Sequence, residues 1–179
     1  ISEELSQLYA LQASLHTDLN EPLIAIEWSL KKVSQFEKGV GDYYSYISSL
    51  NGLSMDYSQL DSSYKSLYFQ RRIAENLSTF TIANQNMDDY LSNSKYLPII
   101  EGTSRSLLNA GLRTESNKLN KLAYEISSNN EVLENKELYY LGNYIYSEYG
   151  CGGNSVQKLY DKFRILLSEK ESDLSIEDI

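Results

Sequence analysis

Residues 3–36, EELSQLYALQASLHTDLNEPLIAIEWSLKKVSQF, decide the fold class of this chain. Their apolar side chains recur at steps of three, four or seven residues, which is the spacing of one helix face. Pro22 removes an amide donor and crowds the preceding turn, so we expect a kink or restart around Asn20–Pro22. The first long helix is predicted to end near Lys38. The apolar stripe consists of Leu5, Leu8, Leu15, Leu19, Leu23, Ile26, Leu30 and Val33.

A second long helix is predicted from about residue 56 to residue 95, because no Gly or Pro interrupts that stretch. Shorter helices are predicted to start at Pro98, after Thr114, near Glu131 and after the break at Gly150–Gly153. No alternating strand pattern and no internal repeat is detected. We therefore predict an all-α fold, an elongated antiparallel helical bundle with two long N-terminal helices and several shorter C-terminal helices. Residues 1–179 form a single domain in this interpretation, with two stacked bundle halves, divided near residue 98, as the alternative.

The charge and the residue inventory exclude several function classes. The 179-residue chain has 16 basic and 25 acidic residues, for a net charge of −9, whereas nucleic-acid binding needs a concentrated basic surface. One histidine, His16, and one cysteine, Cys151, are too few for a His-rich metal centre or an internal disulfide. A nucleophilic Cys151 would also need a base, and only His16, far away in sequence, is available. We predict no nucleic-acid partner, no metal, no cofactor and no enzymatic activity of this domain.

Two polar features point to binding. Arg71 and Arg72 lie in mid-helix, so at least one guanidinium is expected near the apolar stripe, where it needs an anionic ligand or an internal ion pair with Asp or Glu. Sixteen tyrosines are the second feature. Tyrosine combines an apolar ring with a polar tip, so its clusters suit a bundle core, a protein interface or a small-molecule pocket. The clusters contain Tyr43, Tyr44, Tyr46, Tyr139, Tyr140, Tyr144, Tyr146 and Tyr149.

Two short segments of the chain resemble a known family. Leu15–Leu23 is similar to the leucine-rich helix that runs into a Tyr-Asp-Pro-Leu element in the DAHL domain, the double all-helical ligand-binding domain of bacterial membrane receptors. Pro22 and Leu23 match this element, whereas Asn20-Glu21 departs from it. Residues 91–98, LSNSKYLP, follow Asn84-Gln85-Asn86 and resemble that family's Leu-x-Asn-Ser segment, which is followed closely by an aromatic residue and a proline. The residues that carry this second match are Asn93, Ser94, Tyr96 and Pro98.

The resemblance implies an extracytoplasmic sensor domain of a bacterial transmembrane receptor, such as the sensor histidine kinase of a two-component system. It implies a parent chain anchored by two membrane spans, a periplasmic location, a small-molecule ligand or a periplasmic binding protein as partner, and association into a homodimer. Ligand binding would transmit a helix displacement toward the membrane. The alternative is a cytoplasmic helical scaffold or adaptor that recognises a partner protein through a tyrosine-rich face. The candidate ligand-binding residues are Arg71, Arg72, Asn84, Asn86, Asn93 and Tyr96.

Overall fold

The computed structural model describes residues 3–83, 94–129 and 133–177. All regular secondary structure within these ranges is helical, which confirms the predicted all-α class. A short 3-10 turn, Ser94–Tyr96, precedes the fifth helix. The helices are α1 (Glu3–Asp18), α2 (Pro22–Glu37), α3 (Tyr43–Gln59), α4 (Ser63–Ala83), α5 (Leu97–Asn109), α6 (Arg113–Ser128), α7 (Glu134–Gly150) and α8 (Val156–Glu177).

The prediction of two long N-terminal helices is wrong. The link Leu19–Glu21 reverses the chain, and α2 packs along α1 with the rings of Tyr9 and Trp28 at 5.6 Å between centroids. Pro22 lies in the first turn of α2, where its missing amide donor costs nothing. The helix predicted over residues 56–95 is also divided, because residues 60–62 form a second link between α3 and α4.

One turn geometry follows α1, α3, α5 and α7. In each case a residue with positive φ comes after the helix, and the next amide donates to the carbonyl five residues earlier, as in a Schellman cap. Asp61 makes this turn without a glycine, because a short polar side chain tolerates the left-handed region better than most. The absence of Gly and Pro from residues 56–95 was therefore not evidence for one continuous helix. The four residues are Asn20 (φ 58°), Asp61 (φ 53°), Gly111 (φ 80°) and Gly152 (φ 69°).

Consecutive helices pack against each other within two compact units, unit 1 (Ile1–Thr79) and unit 2 (Phe80–Ile179). In unit 1, the ring of Phe36 on α2 stacks on that of Tyr46 on α3, with centroids 4.3 Å apart. In unit 2, the rings of Tyr124 on α6 and Tyr144 on α7 stack at 6.1 Å. That the chain forms one domain stays a prediction.

The helix boundaries of the two units repeat after 91 residues. The first and last residues of α6 lie 91 positions after those of α2, and the same holds for α7 and α3. The positive-φ residues Gly111 and Gly152 likewise lie 91 positions after Asn20 and Asp61. The helices α2 and α6 have no identical residue at equivalent positions, which explains why the sequence showed no repeat. What they share is the pattern of burial, as in the buried pairs Ala25 and Ser116, and Val33 and Tyr124.

Most of the first apolar stripe lies outside the core. Of its eight residues, only Ile26 and Val33 are buried. Periodicity identifies one face of a helix but does not say what that face contacts. The stripe residues exposed by 42–70% are Leu8, Leu15, Leu19, Leu23 and Leu30. Large apolar side chains that are fully buried are Ile47, Leu50, Leu53, Ile73 and Leu77 in unit 1, and Ile100, Leu107, Leu119, Ile126 and Leu141 in unit 2.

Candidate functional site

Unit 1 contains a groove between α1 and α3, with α2 as its floor. Two adjoining cavities of about 240 and 360 Å³ form this groove, which we call groove 1, and both include Ala10 and Lys32 in their walls. Small side chains keep it open. They are Ala10, Ala13, Ser14 and Thr17 on α1, Ser29 on α2, and Ser48, Ser49 and Gly52 on α3.

Two ionisable side chains at or next to groove 1 are buried. Lys32, which lines the groove, is only 9% exposed. Burial lowers the pKa of Lys32, and the charge of Asp42 opposes this only in part.

Asp56 is completely buried and does not itself line groove 1, but it contacts Thr17, which does. The Thr17 hydroxyl donates to Oδ1 at 3.4 Å, and Oδ2 has no partner among the described residues. Burial raises the pKa of Asp56, and the Thr17 hydrogen bond opposes this only in part. Buried polar groups without hydrogen-bond partners are unfavourable. Asp56 Oδ2, beside the groove-lining residue Thr17, is such a group.

Unit 2 contains the equivalent groove between α5 and α7, with α6 as its floor. This groove 2 encloses a cavity of about 170 Å³. Seven of its eight lining residues lie 91 positions after a residue that lines groove 1. The pairs are Ala10/Glu101, Ala13/Ser104, Ser14/Arg105, Thr17/Leu108, Ser29/Asn120, Ser48/Tyr139 and Gly52/Asn143.

Larger polar side chains of groove 2 bind each other. The Tyr139 hydroxyl donates to Glu101 Oε1 at 2.7 Å, and Arg105 Nη2 donates to the same oxygen at 2.9 Å. At the floor, Ser104 Oγ donates to Asn120 Oδ1 at 2.8 Å and lies 2.9 Å from Ser116 Oγ. Unit 2 therefore pairs several of the polar groups of its groove with one another.

Unit 2 also differs from unit 1 in hydrogen bonding at the position equivalent to Asp56. This position is occupied in unit 2 by Ser147, whose hydroxyl donates to Asn117 Oδ1 at 2.7 Å, and Asn117 Nδ2 donates to Glu148 Oε2 at 2.7 Å. Hydrogen bonds from Ser155 and Asn117 lower the pKa of Glu148. The polar groups here are paired, whereas Asp56 is not fully paired.

The three predicted ligand-binding residues that the structure describes, Arg71, Arg72 and Tyr96, do not line either groove. Arg72 Nη2 donates to Glu37 Oε1 and to the Tyr46 hydroxyl, each at 2.9 Å. Burial lowers the pKa of Arg72, but the hydrogen bond to Glu37 and the contact with Tyr46 outweigh it and raise the pKa overall. Arg72 thus forms the internal ion pair that the sequence left as one of two alternatives. Arg71 is exposed in unit 1, and Tyr96 is 4% exposed in unit 2. Asn84, Asn86 and Asn93 lie outside the described residues.

Residues suited to metal binding or covalent chemistry do not cluster in the part of the chain that the structure describes. No group of three His, Cys, Asp or Glu side chains there could hold a metal ion. Cys151 is exposed and forms no disulfide. Among the described helices, none is both long and apolar enough to cross a bilayer.

Comparisons with known proteins find similar solved structures but no related family. No protein-family model matches the chain, and no curated protein matches it. The chain is similar to the crystal structure of nearly identical TPR-like repeats from a Podosopora anserina protein described as a kinesin light chain, with 11% identity and a TM-score of 0.49. This match covers 94% of this chain and 97% of the other.

A single-substitution variant of those repeats is also similar, with 14% identity and a TM-score of 0.39, over 95% of this chain and 97% of the other. Identities and TM-scores this low say nothing about what the present chain binds.

The identification with the DAHL family is corrected by these findings. It depended on about 25 residues, and the similar structures are TPR-like repeats instead of sensor domains. The predictions that followed from it are therefore wrong as well. They are the histidine-kinase sensor function, the membrane-anchored parent chain, the small-molecule or periplasmic partner and the periplasmic location.

The sequence analysis missed most of the residues that line the grooves, such as Ser48 and Asn143, although it named Tyr139 and Tyr146 among the tyrosine clusters. The available signal was the spacing of the turn residues, since Asn20 and Asp61 are 41 positions apart, as are Gly111 and Gly152. Two equal spacings between turn-forming residues indicate two similar helical hairpins, even where the helices have no sequence identity.

Proposed function

We propose that this chain is a helical protein-interaction scaffold whose two grooves bind segments of partner polypeptides. The observation that carries this proposal is that equivalent helix positions line an open groove in each unit while the side chains differ completely. In repeat proteins, the units typically have the same backbone arrangement but different side chains on the surface, and these side chains bind different partners.

The size of groove 2 supports polypeptide recognition. Drug-sized ligands occupy cavities of roughly 300–1,000 Å³ that enclose most of their surface. The cavity of groove 2, about 170 Å³, has room for one or two side chains of a longer segment. Open grooves between helices suit a ligand that continues beyond the cavity at both ends.

Exposed tyrosines in groove 2 support recognition of a protein surface. Tyr139 is 48% exposed and Tyr146 is 69% exposed, and both line the groove from α7. Tyrosine contributes a large contact area with little loss of side-chain entropy, and it is enriched at interfaces. These two residues belong to the tyrosine-rich cluster on which the sequence-based scaffold alternative rested.

A peptide selection tests the proposal. Peptides selected from a displayed random library on the full chain are synthesised with a fluorophore, and their dissociation constants are measured by anisotropy. We expect Tyr146→Ala to weaken peptides bound in groove 2 by at least about tenfold, as for an interface anchor. Tyr149→Ala is the matched control, because Tyr149 is 75% exposed on the same helix and does not line the groove.

Groove 1 is tested by Ser48→Tyr, which introduces the tyrosine found at the equivalent position of groove 2. Ser48 is exposed, so the new ring fills the groove and leaves the core unchanged. Peptides bound in groove 1 should lose at least about tenfold in affinity. Failure to select any peptide, or peptides unaffected by both Tyr146→Ala and Ser48→Tyr, would show that the grooves do not bind partners.

A further inference from the structure

The first helix has a row of exposed leucines. Leu8, Leu11 and Leu15 are 46%, 68% and 49% exposed, and Leu19, in the link after α1, is 57% exposed. Steps of three and four residues place them on one side of the helix. Contiguous exposed apolar surface of this kind marks an interaction site more often than isolated leucines do. We call these four residues the α1 stripe.

The opposite side of α1 makes the contacts with the rest of unit 1. Tyr9 packs against Trp28 of α2, Thr17 donates to Asp56 of α3, and Ser6 is buried. The α1 stripe therefore faces away from the core of unit 1. It is also separate from the floor of groove 1, although Leu11 reaches the edge of that groove.

The repeated fold does not require this stripe. The residues of unit 2 at the positions equivalent to Leu11, Leu15 and Leu19 are Gly102, Ser106 and Ala110, which are small or polar. Only Leu8 has a large apolar equivalent, and that residue, Ile99, is buried. The exposed leucines are thus a particular property of α1.

The charges along α1 are of one sign. The helix carries Glu3, Glu4 and Asp18, all exposed, and has no Lys or Arg. Its one histidine, His16, is within hydrogen-bonding distance of Glu21, with Nδ1 and Oε2 2.6 Å apart. An apolar stripe with acidic residues beside it is complementary to an apolar stripe with basic residues beside it.

We propose that the α1 stripe binds an amphipathic helix of a partner protein, one with aliphatic side chains at three- and four-residue spacing and with Lys or Arg beside them. Aliphatic side chains of the partner helix pack between the leucines as ridges into grooves. The basic residues approach Glu3, Glu4 and Asp18, which sets the orientation of the helix and excludes acidic partners. This surface is additional to the two grooves.

Two designed peptides test the proposal on the full chain. Each is a helix of about 21 residues, or three heptads, with leucines at the a and d positions. One has lysines at the flanking positions and the other has glutamates. We expect the lysine peptide to bind at least about tenfold more tightly than the glutamate peptide and to weaken as salt is raised, because salt screens the flanking charges.

The double variant Leu8→Gln/Leu15→Gln should weaken the lysine peptide by at least about tenfold. Both leucines are half exposed, so the circular dichroism melting curve should stay close to that of the natural protein. The matched control is Leu30→Gln/Leu167→Gln, since these leucines are 42% and 39% exposed on α2 and α8. The control should bind the peptide within about twofold of the natural protein.

Three results would overturn the proposal. If the lysine peptide binds Leu8→Gln/Leu15→Gln as tightly as the natural protein, the peptide binds elsewhere on this acidic chain. If the glutamate peptide binds as tightly as the lysine peptide, the acidic residues of α1 do not select a basic partner. Sedimentation showing a dimer that dissociates in Leu8→Gln/Leu15→Gln would show that a second copy of this chain covers the stripe.

Discussion

Units 1 and 2 have equivalent helices and equivalent grooves, but they differ in the polar groups at two pairs of equivalent positions. In unit 2, Ser104 and Ser147 are paired with neighbouring polar side chains. In unit 1, the equivalent positions are Ala13 and Asp56, and one carboxylate oxygen of Asp56 has no partner among the described residues. The comparison shows that the path of the backbone does not fix the chemistry of its groove.

The largest effect is expected at Asp56, which is fully buried. Asp56→Asn should raise the free energy of unfolding of unit 1 at pH 7 by about 1–2 kcal/mol, because it removes an incompletely paired buried charge. Since burial raises the pKa of Asp56, the folded state holds its proton more tightly than the unfolded state does. Stability is therefore highest below the ordinary Asp range, and it falls as the pH rises through the pKa of the folded state.

Urea unfolding at several pH values between about 4 and 7 measures this effect, and the natural protein should lose stability over that range relative to Asp56→Asn. Asp161→Asn, on the exposed surface of α8, is the control and should change stability by less than about 0.5 kcal/mol. If Asp56→Asn destabilises the protein at pH 7, Asp56 has a partner that this account lacks.

An effect of similar size and opposite sign is expected in unit 2 at Ser104, which is 3% exposed. Ser104→Ala leaves the hydroxyl of Ser116 without its buried partner and should cost about 1–2 kcal/mol. Adding Ser116→Ala should recover part of this loss, because both positions then carry alanine as Ala13 and Ala25 do in unit 1. A double-mutant cycle from urea unfolding measures the coupling, and strictly additive losses would show that the two hydroxyls do not interact.

The smallest effect is expected at the turns. Gly111→Ala should cost about 1 kcal/mol, because a Cβ at φ 80° is unfavourable even though no atom lies within 4 Å of its position. Asn20→Gly, at the equivalent turn between α1 and α2 of unit 1, should leave stability within about 0.5 kcal/mol, since asparagine already tolerates this conformation at φ 58°. Thermal melting curves measure both changes. Equal losses at the two positions would mean that the turn residues act through side-chain contacts.

Helix positions with strong local signals were predictable from the sequence. Pro22 and Pro98 lie at helix starts, and Gly150–Gly153 coincides with a break, because these residues restrict or release the backbone themselves. The division at Asp61 was not predictable by the same rule, since aspartate is also common inside helices. The leucines of α1 were misread because their spacing is the same whether the face contacts a core or a partner.

The candidate site was much less predictable than the fold class. Arg72 attracted attention as a charged residue near an apolar face, yet its ion pair with Glu37 becomes visible only when α2 and α4 are placed together. Groove residues such as Ser48 and Gly52 could not be recognised from their chemistry, because their role is to leave space in the groove. The similarity to a sensor family came from short helical segments, which coincide easily between unrelated helical proteins.

An NMR titration tests most directly whether the grooves bind partners. A peptide selected on the full chain is added to the ¹⁵N-labelled protein, and the shifts of the backbone amide signals are mapped onto the helices. Binding in the grooves predicts that the largest shifts fall at Ser48 and Gly52 for groove 1, or at Tyr139 and Asn143 for groove 2. Shifts confined to α4 and α8, with the groove residues unchanged, would contradict it.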